Sequence, residues 1–315
     1  MPRKIIIDCD PGIDDAMALA IALFHPDLEV TAVTSVGGNA PIETTSRNLR
    51  ALIEYLDPPR WPRIGFGTPS DSPVPVEGRH SGGIDGMGAL QLPFAELLSS
   101  HPAEKVIVDT VRDAPGEVTL VALGPLTNVA RAFHRDPELP GMLQELVIVG
   151  GAVESSGNIT PAAEFNIYCD PLSAAAVFLA PCRKRMIPLD VTNRVMLTLD
   201  MFDGMPDETS RAGRLLRSSL LPAFRDYRQR YGFEGLHIHD TVGMISLVNH
   251  SLFEFERLAG VVETEGRFAA GMTVFDRRRV PSWRQNLCVA LGVDHEAVLR
   301  YVVELTHAAG RATRE

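Results

Sequence analysis

Short apolar runs alternate with helical patterns along the first 190 residues, and this alternation limits the possible folds more than any other feature of the sequence. The runs are rich in β-branched residues and carry apolar side chains on both strand faces, which is typical of a buried parallel sheet. The strand and helix pairs are 4–7 with 14–24, 30–36 with 44–56, 118–123 with 126–133, and 146–149 with 171–179. Such pairs indicate βαβ crossovers. We predict an α/β fold with an open, mostly parallel, Rossmann-like sheet and helices on both faces, built as one domain over residues 1–315.

The rest of the chain supplies further elements around this sheet. The patterns predict helices over 209–231 and 239–248, strands over 258–262, 271–274 and 286–291, and a terminal helix. A proline- and glycine-rich stretch over 70–88 is too long for an ordinary connection, so we expect a lid or binding loop there. Polar or glycine-rich residues follow the strand ends repeatedly, and ligands of open α/β sheets bind outside these carboxyl ends.

Charge and composition exclude several classes of partner. Forty acidic residues against thirty basic ones give a net charge of −10, which argues against a nucleic-acid polymer because that affinity comes from clustered Lys and Arg. No run of 18 uncharged apolar residues occurs, so we expect no membrane span. The four cysteines are far apart without metal-binding spacing, and the chain opens without a charged and apolar leader, which favours the cytoplasm.

Four aspartates fall within eight residues where the first strand passes into the first helix, in the segment IIIDCDPGIDDA. The helix N-terminus offsets part of their repulsion, by about 0.3 to 1 kcal/mol per charge. Asp14 or Asp15 can serve as the helix cap, but one cap uses only one acid. A hard divalent cation accounts for the remaining acids better than solvation does, because several carboxylates beside the turn at Pro11 and Gly12 suit Ca²⁺ or Mg²⁺.

The segment DCDPGIDDA resembles the signature of the nucleoside hydrolases, the inosine-uridine preferring N-ribohydrolase family. Further blocks follow in family order: TSVGGNA around Asn39, TLVALGPLTNVA around Leu123, VGGAV, GNITPAAEFNIYCDP over 157–171, and HIHD over 237–240. Together they extend over nearly the full chain, whereas the aspartate motif alone also resembles the aspartate loop of phosphotransferases. The resemblance implies the nucleoside hydrolase fold and hydrolysis of the N-glycosidic bond of ribonucleosides.

The resemblance also implies a Ca²⁺ at the bottom of the pocket. Its ligands would be the side chains of Asp10, Asp15 and Asp240. The backbone carbonyl of Leu123 would complete the set, which explains how an apolar residue enters a metal site. The ion would orient the 2′ and 3′ hydroxyls of the ribose and lower the pKa of a water, whose proton Asp10 would accept as general base.

The same resemblance places the ribose among polar side chains. Cleavage passes through an oxocarbenium-like sugar, which acidic and carbonyl groups stabilise. The implied ribose residues are Asp14, Asn39, Asn158, Glu164 and Asn166. Glu164 and Asn166 alternate with apolar neighbours in AAEFN, so an extended segment would aim both toward one side. For Asn158 the alternative is a turn in SSGN.

The base side of the pocket is less specified. The resemblance implies that His239 donates a proton to the leaving base, and the alternative is a structural histidine at a helix start. His80, in the expected lid, is a second base-side candidate. Gly82 stands where many family members carry a histidine, a departure that affects base recognition more than catalysis. Tyr227 and Tyr231, four residues apart on a predicted helix, either contact the base or only pack that helix.

These features predict a Ca²⁺-dependent ribonucleoside hydrolase of nucleoside salvage or catabolism, a homodimer or homotetramer whose partner is a small-molecule ribonucleoside. Two alternatives stay open. One is a homologue that binds ribose or a nucleoside without turnover. The other is an aspartate-nucleophile phosphatase. Such an enzyme needs a lysine near a strand end to balance the phosphate charge, and neither Lys105 nor Lys184 is in such a setting. The presence of both His80 and His239, with no tryptophan in the base-side loops, favours pyrimidine or broad specificity.

Overall fold

The first strand, β1 (Arg3–Cys9), lies inside the central sheet and pairs in parallel on both edges, with β2 (Leu28–Ser35) and β4 (Val118–Ala122). Its three consecutive isoleucines, residues 5–7, are fully buried. They are buried because helices cover both faces of the sheet and successive side chains alternate between those faces. The computed structural model describes residues 2–70, 72, 87, 92 and 101–314.

The other strands of this sheet are β3 (Arg63–Phe66), β5 (Glu145–Val149), β6 (Lys184–Ile187), β9 (Phe253–Leu258) and β12 (Leu287–Val293). Over the described residues the strand order is β3-β2-β1-β4-β5-β6-β12-β9. The edge pair β12 and β9 is antiparallel and the other neighbours are parallel, so the predicted open, mostly parallel sheet is confirmed. Two small sheets pair β7 (Met196–Thr198) with β8 (Gly235–His237) and β10 (Gly260–Val262) with β11 (Thr273–Phe275).

Helices pack on both faces of the sheet, as predicted. On the face of Ile5 and Ile7 lie α1 (Ile13–Phe24), α2 (Ile42–Leu56), α8 (Leu189–Thr192), α9 (Leu199–Phe202), α10 (Arg211–Tyr231), α11 (His239–Val248) and α12 (His295–Ala312). On the face of Ile6 lie α3 (Ala103–Asp113), α4 (Thr127–Arg135), α5 (Leu139–Met142), α6 (Phe165–Cys169) and α7 (Pro171–Leu179). A 3₁₀ turn at His250–Leu252 follows α11. Within the described ranges, no helix combines the length and apolar character needed to cross a bilayer.

The sequence patterns locate most elements to within a few residues. The helices predicted over 171–179 and 239–248 have those bounds, as α7 and α11. The single strand predicted over 258–262 is wrong, because strand structure is interrupted at Ala259, between the end of β9 and the start of β10. The patterns also miss β3, α3 and β6. In β6, Lys184 and Arg185 interrupt the apolar run, yet Arg185 is buried against Glu145 in a 2.8 Å ion pair.

The carboxyl ends of β1, β4, β5 and β6 lie side by side, so the polar loops that follow them meet at one edge of the sheet. Backbone hydrogen bonds join these exits. Val36 N donates to Cys9 O at 2.9 Å, and Leu123 N donates to Asp8 O at 2.8 Å. The first turn of α11 reaches the same edge, where it contacts the start of α1. This edge therefore collects the sequence blocks that carry polar residues.

The packing of α7 gives a test of this arrangement. Phe178 is fully buried in the core on the Ile6 face, whereas its neighbour Leu179 is 74% exposed. We expect Phe178→Ala to lower the free energy of unfolding by about 3–5 kcal/mol, because it leaves a cavity in a packed core. Leu179→Ala, the matched control, should change it by less than about 0.5 kcal/mol. Urea denaturation measures both, and equal effects would contradict the assigned face of α7.

Candidate active site

A cavity of about 640 Å³ opens at the carboxyl edge of the sheet. Most of the site residues predicted from the sequence line it: Asp10, Asp14, Asn39, Leu123, Asn158, Glu164, Asn166, Tyr227, Tyr231, His239 and Asp240. Asp15 does not line the cavity but is fully buried beside Asp10. His80, with the departure at Gly82, lies outside the described residues. Residues far apart in the chain are thus brought to one place.

The buried side chains of Asp10, Asp15 and Asp240 and the half-buried Asp14 form a cluster at the floor of the cavity. Burial raises the pKa of Asp10 well above its usual value, and the charge of Asp15 raises this pKa further. Burial likewise raises the pKa of Asp240, with added repulsion from the other three aspartates. Buried like charges of this kind need a counter-charge or protons to stay together.

The donors on the cavity floor fit a hard divalent cation. They are all oxygens: the carboxylates of Asp10, Asp15 and Asp240 and the carbonyl of Leu123. Asp15 Oδ1 is buried without a hydrogen-bond partner, as expected for an atom that ligates a cation. Leu123 O accepts from Asn166 Nδ2 at 2.6 Å, and a carbonyl oxygen has a second lone pair. Within the described residues, no three acidic, His or Cys side chains already lie close enough together to form a complete metal site.

Asp14 joins the start of α1 to the start of α11. Its Oδ2 accepts from Asp240 N at 2.7 Å, and its Oδ1 accepts from Thr241 Oγ1 at 2.8 Å and from Thr241 N at 3.3 Å. Asp14 therefore caps α11 rather than its own helix. Asp15 instead stabilises the N-terminus of its own helix, α1, because its Oδ2 accepts from the backbone N–H of the N-cap Gly12 at 2.9 Å. Burial raises the pKa of Asp14 to about 7, against the opposing effect of these hydrogen bonds.

The ribose-side residues meet at the start of α6. The expected extended segment at AAEFN is wrong, because Glu164 is the N-cap of α6 and Asn166 lies in its first turn. Glu164 accepts from the backbone N–H groups of Gly151 and Asn166 at 2.9 Å each, and burial raises the pKa of Glu164. The two side chains still reach one cavity, since a cap and its first turn share the helix N-terminus. Asn158 lines the cavity, and its Oδ1 accepts from Phe165 N at 2.9 Å, so its side chain contacts the start of α6 rather than its own SSGN segment.

Aromatic rings, including those of two histidines, form a continuous wall of the cavity. Ring centroids are 5.4 Å apart for Tyr227 and Tyr231, and 6.1 Å apart for Tyr231 and Phe233. The wall continues through Phe233 and His237 at 5.9 Å, and through His237 and His239 at 5.5 Å. Phe233 and His237 also line the cavity, although the sequence patterns do not indicate either one as a site residue. Burial lowers the pKa of His237.

A family model described as inosine-uridine preferring nucleoside hydrolase matches residues 5–300. This chain belongs to that family. The resemblance that its sequence blocks carry is therefore confirmed, and the protein is an enzyme of the nucleoside hydrolase class.

Relatives of this nucleoside hydrolase match over nearly its whole length. The chain is 37% identical to the non-specific ribonucleoside hydrolase RihC of Escherichia coli (strain SMS-3-5) over 309 residues, which cover 97% of this chain and 98% of that protein. It is similar to the solved structure of a plant nucleoside hydrolase, the PpNRh1 enzyme, with a TM-score of 0.88, 30% identity and coverage of 97% and 99%. A purine-preferring ribonucleoside hydrolase from Gardnerella vaginalis gives a TM-score of 0.89, 27% identity and coverage of 98% and 100%. The predicted nucleoside hydrolase fold is confirmed.

Two glycines of this nucleoside hydrolase leave just enough space for the Asp10 carboxylate, because neither has a Cβ atom. A Cβ added at Gly38 would lie 2.0 Å from Asp10 Oδ2, and one at Gly124 would lie 2.6 Å from Asp10 Oδ1. Asn39 N donates to Asp10 Oδ2 at 2.6 Å from the same loop. The glycine-rich segments SVGGNA and LGPLTN, which follow strands, predict a ligand site from the sequence alone. They do not predict that one glycine from each segment lies against the same carboxylate.

The close fit around Asp10 gives the next prediction. We expect Gly124→Ala to lower nucleoside hydrolysis by about 100-fold or more, because the new methyl group displaces Asp10 from its position. Gly141→Ala is the matched control, since a Cβ there meets nothing within 4 Å. Hydrolysis rates and melting temperatures of both variants measure the effect. Unchanged hydrolysis by Gly124→Ala would contradict the position assigned to Asp10.

Proposed function

We propose that this enzyme hydrolyses ribonucleosides to ribose and free base with Ca²⁺ in its site. The observation that carries the proposal is the buried cluster of Asp10, Asp15 and Asp240 at the floor of a cavity that both polar and aromatic side chains line. A polar wall suits a sugar, and an aromatic wall suits a nucleobase. The name of the bacterial relative, a non-specific ribonucleoside hydrolase, supports the same substrate class.

Calcium is the cation that the donor set favours in this proposal. Asp10, Asp15, Asp240 and the Leu123 carbonyl would hold it, since Ca²⁺ prefers carboxylate and carbonyl oxygens in a flexible arrangement. When bound, the ion supplies positive charge that orients the ribose 2′ and 3′ hydroxyls and acidifies a water. It also supplies the counter-charge that the buried aspartates need.

The side chains of the cavity then divide the reaction between them. Asp10 accepts a proton from the water that attacks C1′. Asp14, Asn39, Asn158, Glu164 and Asn166 bind the sugar, and the carboxylates among them stabilise the positive charge that develops on C1′ and O4′. His239 donates a proton to the base as the C1′–N bond breaks and its electron pair passes to the base.

We propose broad base specificity that includes pyrimidines. The base would lie against the wall of Tyr227, Tyr231 and Phe233, and ring faces accept purines and pyrimidines alike. The phosphatase alternative lacks support, because Lys105 pairs with Asp109 on the surface and Lys184 donates to the Ala180 carbonyl. Nucleoside salvage or catabolism, a homo-oligomer and a cytoplasmic location also stay predictions.

A panel of nucleosides tests the proposed reaction. The purified enzyme with Ca²⁺ is incubated with inosine, uridine, cytidine and adenosine, and free ribose is measured with kcat/KM for each. Release of ribose from purine and pyrimidine substrates supports the proposal. No release from any of them would leave only the nucleoside-binding alternative.

Replacement of the proposed general base separates turnover from binding. We expect Asp10→Asn to lower kcat by about 100-fold or more at saturating Ca²⁺, because the amide cannot accept the water proton. Binding of ribose, measured by calorimetry, should change far less, since the other sugar contacts are intact. Asp113→Asn removes a charge at the exposed surface and serves as control. A full loss of ribose binding by Asp10→Asn would contradict the division of roles.

Metal removal gives a prediction that needs no turnover. Addition of Ca²⁺ to the chelator-treated enzyme should raise its melting temperature, because an ion at 100 times its Kd stabilises the native state by about 2.7 kcal/mol. Asp240→Asn should melt no lower than wild type without the ion, since one repelling charge is removed, and should gain less from Ca²⁺. Equal gains in both proteins would contradict Asp240 as a ligand.

A further inference from the structure

Thr192, at the end of α8, contacts the proposed proton donor. Its Oγ1 lies 2.7 Å from Nδ1 of His239, although 47 residues separate the two in the chain. Thr192 is 1% exposed and lines the cavity. This hydrogen bond joins a buried hydroxyl to a half-buried ring, so it restrains the ring more than a fully exposed contact would.

The segment that carries Thr192 is itself held in place. Leu189 N donates to Gly151 O at 2.9 Å, which ties the start of α8 to the exit of β5. The carboxylate of Asp190 accepts from the backbone N–H groups of residues 153, 154 and 155 at 2.7, 2.7 and 3.0 Å. Thr192 also has a β-branched side chain, which restricts its χ1 angle to few rotamers. The hydroxyl is therefore a fixed point of the cavity wall.

The ring of His239 is restrained on a second side. His237 stacks on it with centroids 5.5 Å apart and an angle of 24° between the planes. A stacked neighbour resists tilting of the imidazole, while the hydrogen bond at Nδ1 resists rotation within its plane. Once Nδ1 is held by Thr192, Nε2 is the nitrogen through which His239 acts on a ligand.

We propose that Thr192 is a positioning residue, which accepts a hydrogen bond from Nδ1–H of His239 and thereby directs the Nε2 proton to the leaving base; this rests on the proposed function. In that step the C1′–N bond breaks, its electron pair goes to the base, and the base takes the proton from Nε2. The Nδ1 proton stays on the bond to Thr192, so the neutral imidazole is left as the Nδ1–H tautomer. The attacking water gives its hydroxyl to C1′ and its proton to Asp10.

Substrates with different leaving groups test the assignment. Uridine needs a proton on its departing base, whereas p-nitrophenyl β-D-ribofuranoside releases a phenolate that departs without one. We expect Thr192→Val to lower kcat for uridine by about tenfold or more with KM changed less than about twofold, and to leave kcat for the phenyl riboside within about twofold of wild type. Thr192→Ser should restore turnover of uridine because it keeps the hydroxyl.

Matched controls separate positioning from general damage. Thr306→Val removes another buried hydroxyl, bonded within α12 to Val303 O, and should leave both activities unchanged. Thr192→Ala replaces Thr192→Val if the latter does not fold. Equal losses on both substrates, or no loss on uridine, would overturn the proposal.

The imidazole ¹⁵N spectrum gives a readout that needs no turnover. With its ring neutral, as it is after the proton transfer, His239 should be the Nδ1–H tautomer in wild type and in Thr192→Ser, and should shift toward Nε2–H in Thr192→Val. The same tautomer in all three proteins would overturn the role of Thr192. If wild type hydrolyses neither substrate, the proposed function fails, and the spectrum still decides whether Thr192 orients His239.

Discussion

Repulsion among buried carboxylates at the junction of β1 and α1 is the constraint on which the rest of the structure depends. Backbone N–H groups from three separate segments face these acids: Gly12 N donates to Asp15, Asn39 N to Asp10, and Asp240 N to Asp14. Each donor holds a carboxylate in place and partly offsets its charge. The acids stay crowded, with raised pKa values, and this crowding is the basis of the cation site that we propose.

The sheet topology explains how the donors arrive. Because β1 lies between β2 and β4, the loops that follow these neighbours flank the end of β1 and bring Gly38 and Gly124 against Asp10. The crossover helices occupy both faces and leave the carboxyl edge open for a ligand. The polar and aromatic linings of the cavity come from separate parts of the chain: α6 supplies polar residues, and the end of α10 with β8 supplies rings.

The sequence predicts the parts of the site that local patterns encode. The sheet and helices follow from periodicity, and Asp10 and Asp15 stand out because charged residues rarely crowd at the end of a buried strand. Other features depend on distances that no local pattern contains. Thr192 meets His239 only through the folding of α8 against α11, and Glu164 begins a helix of five residues, too short to give a periodic signal. The wall that includes Phe233 is likewise a property of packing.

The contact of Asp14 with Asp240 and Thr241 spans 226 and 227 positions of the chain. During synthesis, the aspartates near the start emerge from the ribosome long before α11 is available to cap them. Until α11 docks, Asp14 lacks these donors, and Asp240, one of the proposed cation ligands, is absent from the cavity floor. The cation site that we propose is therefore complete only when these distant parts of the polypeptide have packed against one another.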